Sequence, residues 1–174
     1  GVGEDCAAVA PEQGEVFVLS TDPITGADKQ MGVFAVHITA NDLATAGAEP
    51  IGILSSIILP PETEEQDLRR IMSELEQACD ELQIEILGGH TEVSDAVNRP
   101  VITVTGVGKV ARSDLLSTGG MRPGDELVMT KWAGLEGSAI IAAEKRDVLE
   151  QTLPAHLIDT AESFLKHISV VPEA

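Results

Sequence analysis

The chain has 174 residues, a length typical of one domain or of one domain with part of a second. Its net charge of −18 argues against nucleic acid and against an anionic membrane surface as partners, and no apolar run approaches the roughly 18 residues of a membrane span. Because only 2% of the residues are aromatic, the core must be built from alanine, valine, isoleucine and leucine.

The first two thirds of the sequence alternate short apolar strands with helices. One helix is predicted at residues 31–46, where alanine is frequent and Gly47 provides a stop. A second helix is predicted after Thr63, with Gln66 in a capping-box position. Its apolar stripe contains Cys79, which we expect to be an ordinary core residue. The predicted strands are residues 16–20, 51–59, 84–87 and 101–107.

Residues 111–125 divide the sequence, because their glycine, proline and serine content is typical of a linker. We expect an N-terminal domain at 1–110 and the beginning of a C-terminal domain at 126–174. The second part is predicted to contain a strand at 126–130, an alanine-rich helix after a glycine-rich turn, and a helix that Pro154 opens. The sequence begins inside a motif and stops in a proline-containing stretch, so we expect the chain to belong to a longer protein and to be inactive alone.

Several acidic residues stand beside apolar elements rather than on predicted solvent faces. Asp5 precedes a short apolar run, Asp22 follows the first strand, and Asn41 and Asp42 lie inside an apolar helix. His90 follows two glycines directly after a strand. Structural alternatives stay open for each: a frayed acidic end for Asp5, a turn before proline for Asp22, a solvated helix face or a local cap for Asn41 and Asp42, and a structural histidine for His90.

Carboxylates that converge on one cleft repel each other unless a cation lies between them. Mg²⁺ held by a few carboxylates, with phosphates and water in its other positions, is the usual arrangement in phosphoryl transfer. The sequence has no glycine-rich phosphate loop ending in lysine, and it has only 11 lysines and arginines. Nucleotide phosphates would therefore have to be neutralised mainly by metal ions.

Four motifs resemble the aminoimidazole ribonucleotide synthetase (PurM-like) superfamily, and they occur in its order. The longest is the most specific, and the similarity extends over essentially the whole chain, closest to the hydrogenase-maturation type. The motifs are Gly3-Glu4-Asp5-Cys6-Ala7, Ser20-Thr21-Asp22, Asn41-Asp42-Leu43-Ala44-Thr45-Ala46-Gly47-Ala48-Glu49-Pro50 and Gly88-Gly89-His90-Thr91.

The resemblance implies a PurM-like α/β (α+β) domain whose mixed sheet forms a barrel-like homodimer, followed by the start of a second α+β domain. It implies ATP and Mg²⁺ as cofactors, with Asp5, Asp22 and Asp42 as metal ligands. The residues expected to bind the nucleotide are these three together with Asn41, Gly88, Gly89, His90 and Thr91, the last four in a loop that runs from residue 88 to residue 92.

The resemblance leaves three functions open. The first is an ATP-dependent dehydratase of the hydrogenase-maturation type, acting on a small-molecule or protein-bound acceptor with a possible maturation partner. The second is a small-molecule kinase or synthetase of another branch; histidine at position 90 is nearer the selenophosphate synthetase pattern, so the resemblance does not make His90 a metal ligand. The third is a nucleotide-binding regulatory protein without catalysis. Two cysteines without a disulfide framework favour the cytoplasm.

Overall fold

The computed structural model of the protein describes residues 7–9, 14–25 and 29–174. Within these residues, five strands and three longer helices account for most of the regular structure. The strands are β1 Ala7–Val9, β2 Glu15–Ile24, β3 Glu49–Leu59, β4 Glu85–Val93 and β5 Val101–Ala111. The helices are α1 Met31–Thr45, α2 Glu65–Leu82, α3 Leu135–Glu144, α4 Arg146–Leu149 and α5 Ala155–Ser163, with short 3-10 turns at Thr118–Gly120 and Phe164–His167.

The strands form one mixed sheet in the order β1-β2-β5-β3-β4. Only β3 and β4 run parallel, while the other neighbours are antiparallel. The crossover from β3 to the parallel β4 contains α2, as the geometry of parallel strands requires. This topology places β3 and β5 in the interior of the sheet and leaves β4 as an edge strand in the described part of the chain.

Side-chain burial alternates along the strands, so the sheet has one face covered by helices and one open face. In β5 the even-numbered residues from Ile102 to Val110 are buried, and the odd-numbered residues are half-buried or exposed. Helix α1 lies against the buried face at very short range. A Cβ on Gly106 would lie 2.5 Å from Thr39 Cγ2, so only glycine permits this approach.

The core lies between this sheet face and the helices. It is aliphatic, as the scarcity of aromatic residues predicts. Cys79 is 3% exposed within it, and burial raises the pKa of its thiol to about 11. The expectation of plain core packing for Cys79 is therefore confirmed. The core members that are almost completely buried include Ile53, Ile57, Ile71, Leu75, Ile102 and Val104.

The residues after β5 pack onto the same core. Ala139 of α3 and Ile168 join the cluster formed by the sheet, α1 and α2. Trp132 stacks on Phe164 with ring centroids 5.6 Å apart, which joins the start of this region to its end. Within the described residues, no helix is long and apolar enough to cross a membrane.

The structure confirms the two long helices and four of the predicted strands, but three local expectations are wrong. The capping box at Thr63 is not formed, because α2 begins at Glu65 with Glu64 as its N-cap and without a side-chain cap. No strand forms at 126–130, where Leu127 and Val128 are more than 80% exposed and pair with no strand among the described residues. Residues 88–92 lie inside β4, not in a loop.

Candidate functional site

Asp42 is held over the sheet by a hydrogen bond from β2. Helix α1 crosses the buried face of β2 and β5, so its polar residues Asn41 and Asp42 emerge beside strand side chains. Ser20 Oγ donates to Asp42 Oδ2 at 2.8 Å, and Ser20 is 3% exposed. The contact gives the Asp42 carboxylate a defined position at the junction of helix and sheet.

Asp22 lies on the same face of β2 as Ser20. The strand alternates, with Val16, Val18 and Ser20 buried and Asp22 half-buried on the side that faces α1. One two-residue repeat of a strand measures about 7 Å. Asp22 therefore lies about 7 Å along the strand from Ser20, the residue that contacts Asp42, and the shared acidic site stays a prediction.

A third carboxylate, Glu136, comes from the first turn of α3. Burial and the negative charge of Asp22 both raise the pKa of Glu136. The glycine-rich turn before α3 was recognisable in the sequence, but nothing in the local pattern distinguished Glu136 from the many surface acids. Its place beside Asp22 depends on how the region after β5 folds back onto the sheet.

Asn41 uses both polar groups of its side chain within the chain. Its Nδ2 donates to the carbonyl oxygen of Ile168 at 2.8 Å, and its Oδ1 accepts from the amide of Val170 at 2.7 Å. The expected contact of Asn41 with nucleotide stays a prediction, since this geometry already occupies its carboxamide.

His90 and its neighbours lie far from the two aspartates within one chain. His90 pairs with Ser56, Ser56 with Thr103, and Thr103 with Pro23, which is next to Asp22. Three strand spacings of about 4.8 Å therefore separate β4 from β2, roughly 14 Å. His90 also shares the open face with Ser56 and is paired with Glu92, Nε2 to Oε2 at 3.2 Å.

The predicted metal ligands are therefore placed only in part. Asp42 contacts Ser20, Asp22 lies two residues further along the same face of β2, and Asp5 lies outside the described residues. Within the described ranges, no three His, Cys, Asp or Glu side chains are arranged to hold a metal ion. Two carboxylates still fit Mg²⁺, because this ion is usually bound by one or two carboxylates with substrate phosphates and water.

Residues 3–110 match the family described as AIR synthase related protein, N-terminal domain. Among curated relatives, carbamoyl dehydratase HypE of Cupriavidus necator is 36% identical over 158 residues, covering 85% of this chain and 44% of the relative. Selenide, water dikinase of Myxococcus xanthus is 31% identical over 153 residues, covering 86% of this chain and 42% of the relative. The chain thus spans less than half the length of these relatives.

Two solved structures are similar as well. The hydrogenase maturation protein HypE in complex with ATP superposes with a TM-score of 0.58 at 29% identity, covering 62% of this chain and 34% of that one. A chain of the HypE-HypF complex gives a TM-score of 0.52 at 26% identity, covering 59% of this chain and 35% of that one.

Proposed function

Because this chain belongs to the AIR synthase related family, we propose that it binds Mg-ATP and activates a substrate oxygen or similar heteroatom by phosphoryl transfer. Its similarity to carbamoyl dehydratase HypE supports a reaction of the hydrogenase-maturation type. The observation that carries the proposal is the hydrogen bond from Ser20 to Asp42, with Asp22 two residues further along the same face of β2, on the motifs through which the chain resembles the family.

The local electrostatics favour a cation at this place. Asp22, Asp42 and Glu136 come from three different elements, and partial desolvation together with the charge of Asp22 raises the pKa of Glu136, although its side chain still reaches the surface. A raised carboxyl pKa reports a site where a further negative charge is unfavourable. A divalent cation would relieve this repulsion and would at the same time attract the phosphates of a nucleotide.

The acidic residues and Ser20 have different parts in this proposal. Asp22, Asp42 and Asp5 would hold Mg²⁺, which when bound neutralises phosphate charge during transfer. Ser20 holds the carboxylate of Asp42 in place through its 2.8 Å hydrogen bond. The rigid sheet beneath them fixes their spacing, which favours precise placement of the phosphate groups.

Residues 88–91 can reach the proposed nucleotide site only if a second copy of the chain supplies them. The open face of the sheet exposes Phe17 by 40% and Leu54 by 43%, and every residue of β4 is exposed. An apolar sheet face next to an unpaired edge strand favours association with a second copy. We propose that dimerisation covers this face and supplies Gly88, Gly89, His90 and Thr91 to the nucleotide site.

One alternative has support of its own. The similarity to selenide, water dikinase favours a small-molecule kinase or synthetase, in which the acceptor and not the ATP site would differ.

The structure of HypE with HypF supports a protein partner for the hydrogenase-maturation type. A cytoplasmic location and the domain division at 111–125 remain predictions.

Calorimetric titration with ATP, in Mg²⁺ and again in EDTA, tests the shared step. We expect affinity at least about tenfold higher with Mg²⁺, roughly 1.4 kcal/mol. Equal affinity in EDTA would contradict the metal site, and no binding at millimolar ATP would contradict the nucleotide site. In the full-length protein, ATP-dependent loss of water from a carbamoylated acceptor would support the dehydratase, whereas transfer of phosphate to selenide would support the dikinase.

A further inference from the structure

Asn41 fastens a distant segment of backbone to α1. Its carboxamide donates to the carbonyl of Ile168 and accepts from the amide of Val170, so it pairs with the backbone much as a neighbouring strand would. The two residues lie 127 and 129 positions further along the chain. Both hydrogen bonds are at least partly buried, a setting in which a lost partner is costly.

The segment has further attachments on either side of Asn41. Ile168 is 5% exposed and packs in the core with α1 and α2. Lys131 donates to the carbonyl of Ser169 and forms an ion pair of 3.3 Å with Glu173. Residues 168–170 are therefore bound to α1 on one side and to the beginning of the same post-β5 region on the other.

The position of Asn41 links this docking to the acidic site. The next residue, Asp42, accepts from Ser20, and the docked region also carries Glu136, which interacts with Asp22. We propose that Asn41 is a positioning residue: by clamping residues 168–170 it sets the region after β5 against the Asp22 and Asp42 site. The coupling to nucleotide rests on the proposed function, whereas the clamp rests on the hydrogen bonds alone.

A positioning role differs from direct contact with the nucleotide in what it changes. A residue that only touches the nucleotide affects binding but leaves the unliganded segment as it was. A clamp determines the protection of the Val170 amide even when no nucleotide is present. If clamp and site are coupled, Mg-ATP must slow exchange at Val170, because coupling between two sites is reciprocal.

The docking test is hydrogen exchange at the Val170 amide, measured by NMR without nucleotide. Asn41→Ala should speed exchange at least about fivefold, as expected for the loss of one or two hydrogen bonds. Asn41→Asp keeps the acceptor for Val170 and should restore part of the protection. Asn98→Ala, the same change at an exposed loop asparagine, should have no effect.

The outcomes separate the clamp from the function. Unprotected exchange at Val170 in the unmodified protein would overturn the clamp even if Asn41→Ala fails to fold, and unchanged exchange in a folded Asn41→Ala would do the same. In the coupling test, Mg-ATP should slow Val170 exchange, and Asn41→Ala should weaken Mg-ATP binding about three- to tenfold. Binding of Mg-ATP without either effect would overturn the coupling only, whereas no Mg-ATP binding would overturn the coupling and the proposed function together.

Discussion

Ser20 on β2 and Asp42 on α1 are joined by a hydrogen bond of 2.8 Å, although 22 residues separate them in the chain. Because α1 crosses β2 at this point, the bond fixes the position of the Asp42 carboxylate. Both residues stand in motifs that the sequence analysis had singled out, but their contact was not anticipated. It leads directly to the first prediction.

Asp42→Asn should weaken Mg-ATP binding by at least about tenfold, or roughly 1.4 kcal/mol. The change keeps the shape of the side chain and an oxygen that can accept from Ser20, but it removes the charge. Without metal, the melting temperature should stay the same or rise, because repulsion with Asp22 is relieved. Calorimetric titration and thermal melts in EDTA measure the two effects.

Asp80→Asn is the matched control, since Asp80 is exposed on α2 and should change neither affinity nor melting. A lower melting temperature of Asp42→Asn in EDTA, together with unaltered Mg-ATP affinity, would assign Asp42 a purely structural role.

The second prediction concerns assembly. We expect a homodimer at micromolar concentration in sedimentation experiments, with the open sheet face at the interface. Leu54→Lys should shift the protein to monomer, because Leu54 is 43% exposed on that face and a charge there is costly to bury. Met72→Lys alters a side chain of similar exposure on α2 and should leave the dimer intact. A stable monomer of the unmodified protein would contradict the homodimer.

The third prediction is a loss of stability in mild acid that depends on His37. Burial lowers the pKa of His37 below 6.5, against the opposing charge of Glu81, whose Oε2 lies 3.6 Å from Nε2. Lys131 lowers this pKa further, and Glu74 and Lys166 line the same cleft. Nδ1 has no hydrogen-bond partner among the described residues.

The direction follows from proton linkage. Well above pH 6.5 the imidazole is neutral in both states, whereas near and below this pH the unfolded chain takes up the proton more readily than the folded protein. The free energy of unfolding should therefore fall as the pH drops from about 7 to 5. His37→Gln should reduce this slope and the exposed His156→Gln should not, as measured by urea unfolding at each pH. Equal slopes for all three proteins would refute the assignment to His37.

The fourth prediction compares two neighbouring glycines of β4. Both have positive φ, 150° for Gly88 and 155° for Gly89, so alanine is strained at either position. A Cβ on Gly89 would lie 1.9 Å from the carbonyl oxygen of Ser55, whereas on Gly88 it would meet only Leu54 Cδ2 at 3.7 Å.

Gly89→Ala should therefore lower the free energy of unfolding more than Gly88→Ala, by about 1–3 kcal/mol. It should also speed amide exchange along β4, because the β3–β4 pairing must open. Urea unfolding and hydrogen exchange of the two variants measure this difference. Equal destabilisation would show that backbone conformation, and not the contact with Ser55, decides the cost.

The sequence by itself determined the elements whose signal is local. Alanine content and a glycine stop located α1, an apolar stripe located α2, and β-branched composition located β3. The motif that begins at Asn41 identified the family, which the match over residues 3–110 confirms. These features depend on neighbours within one or two turns of the chain, so they can be read without knowing what packs against them.

Only the tertiary structure decided what these elements bring together. The Gly88-Gly89 pair reads as the end of a strand, yet β4 continues through it because β3 offers a parallel partner along its whole length. Residues 126–130 look like a strand but pair with none among the described residues. Asn41 hydrogen-bonds backbone from the far end of the chain, and the charge of Asp22 raises the pKa of Glu136, which comes from the region after β5 and is also partly desolvated. Such interactions form when distant segments fold onto one sheet face. A local sequence pattern does not determine which distant residue will be the partner.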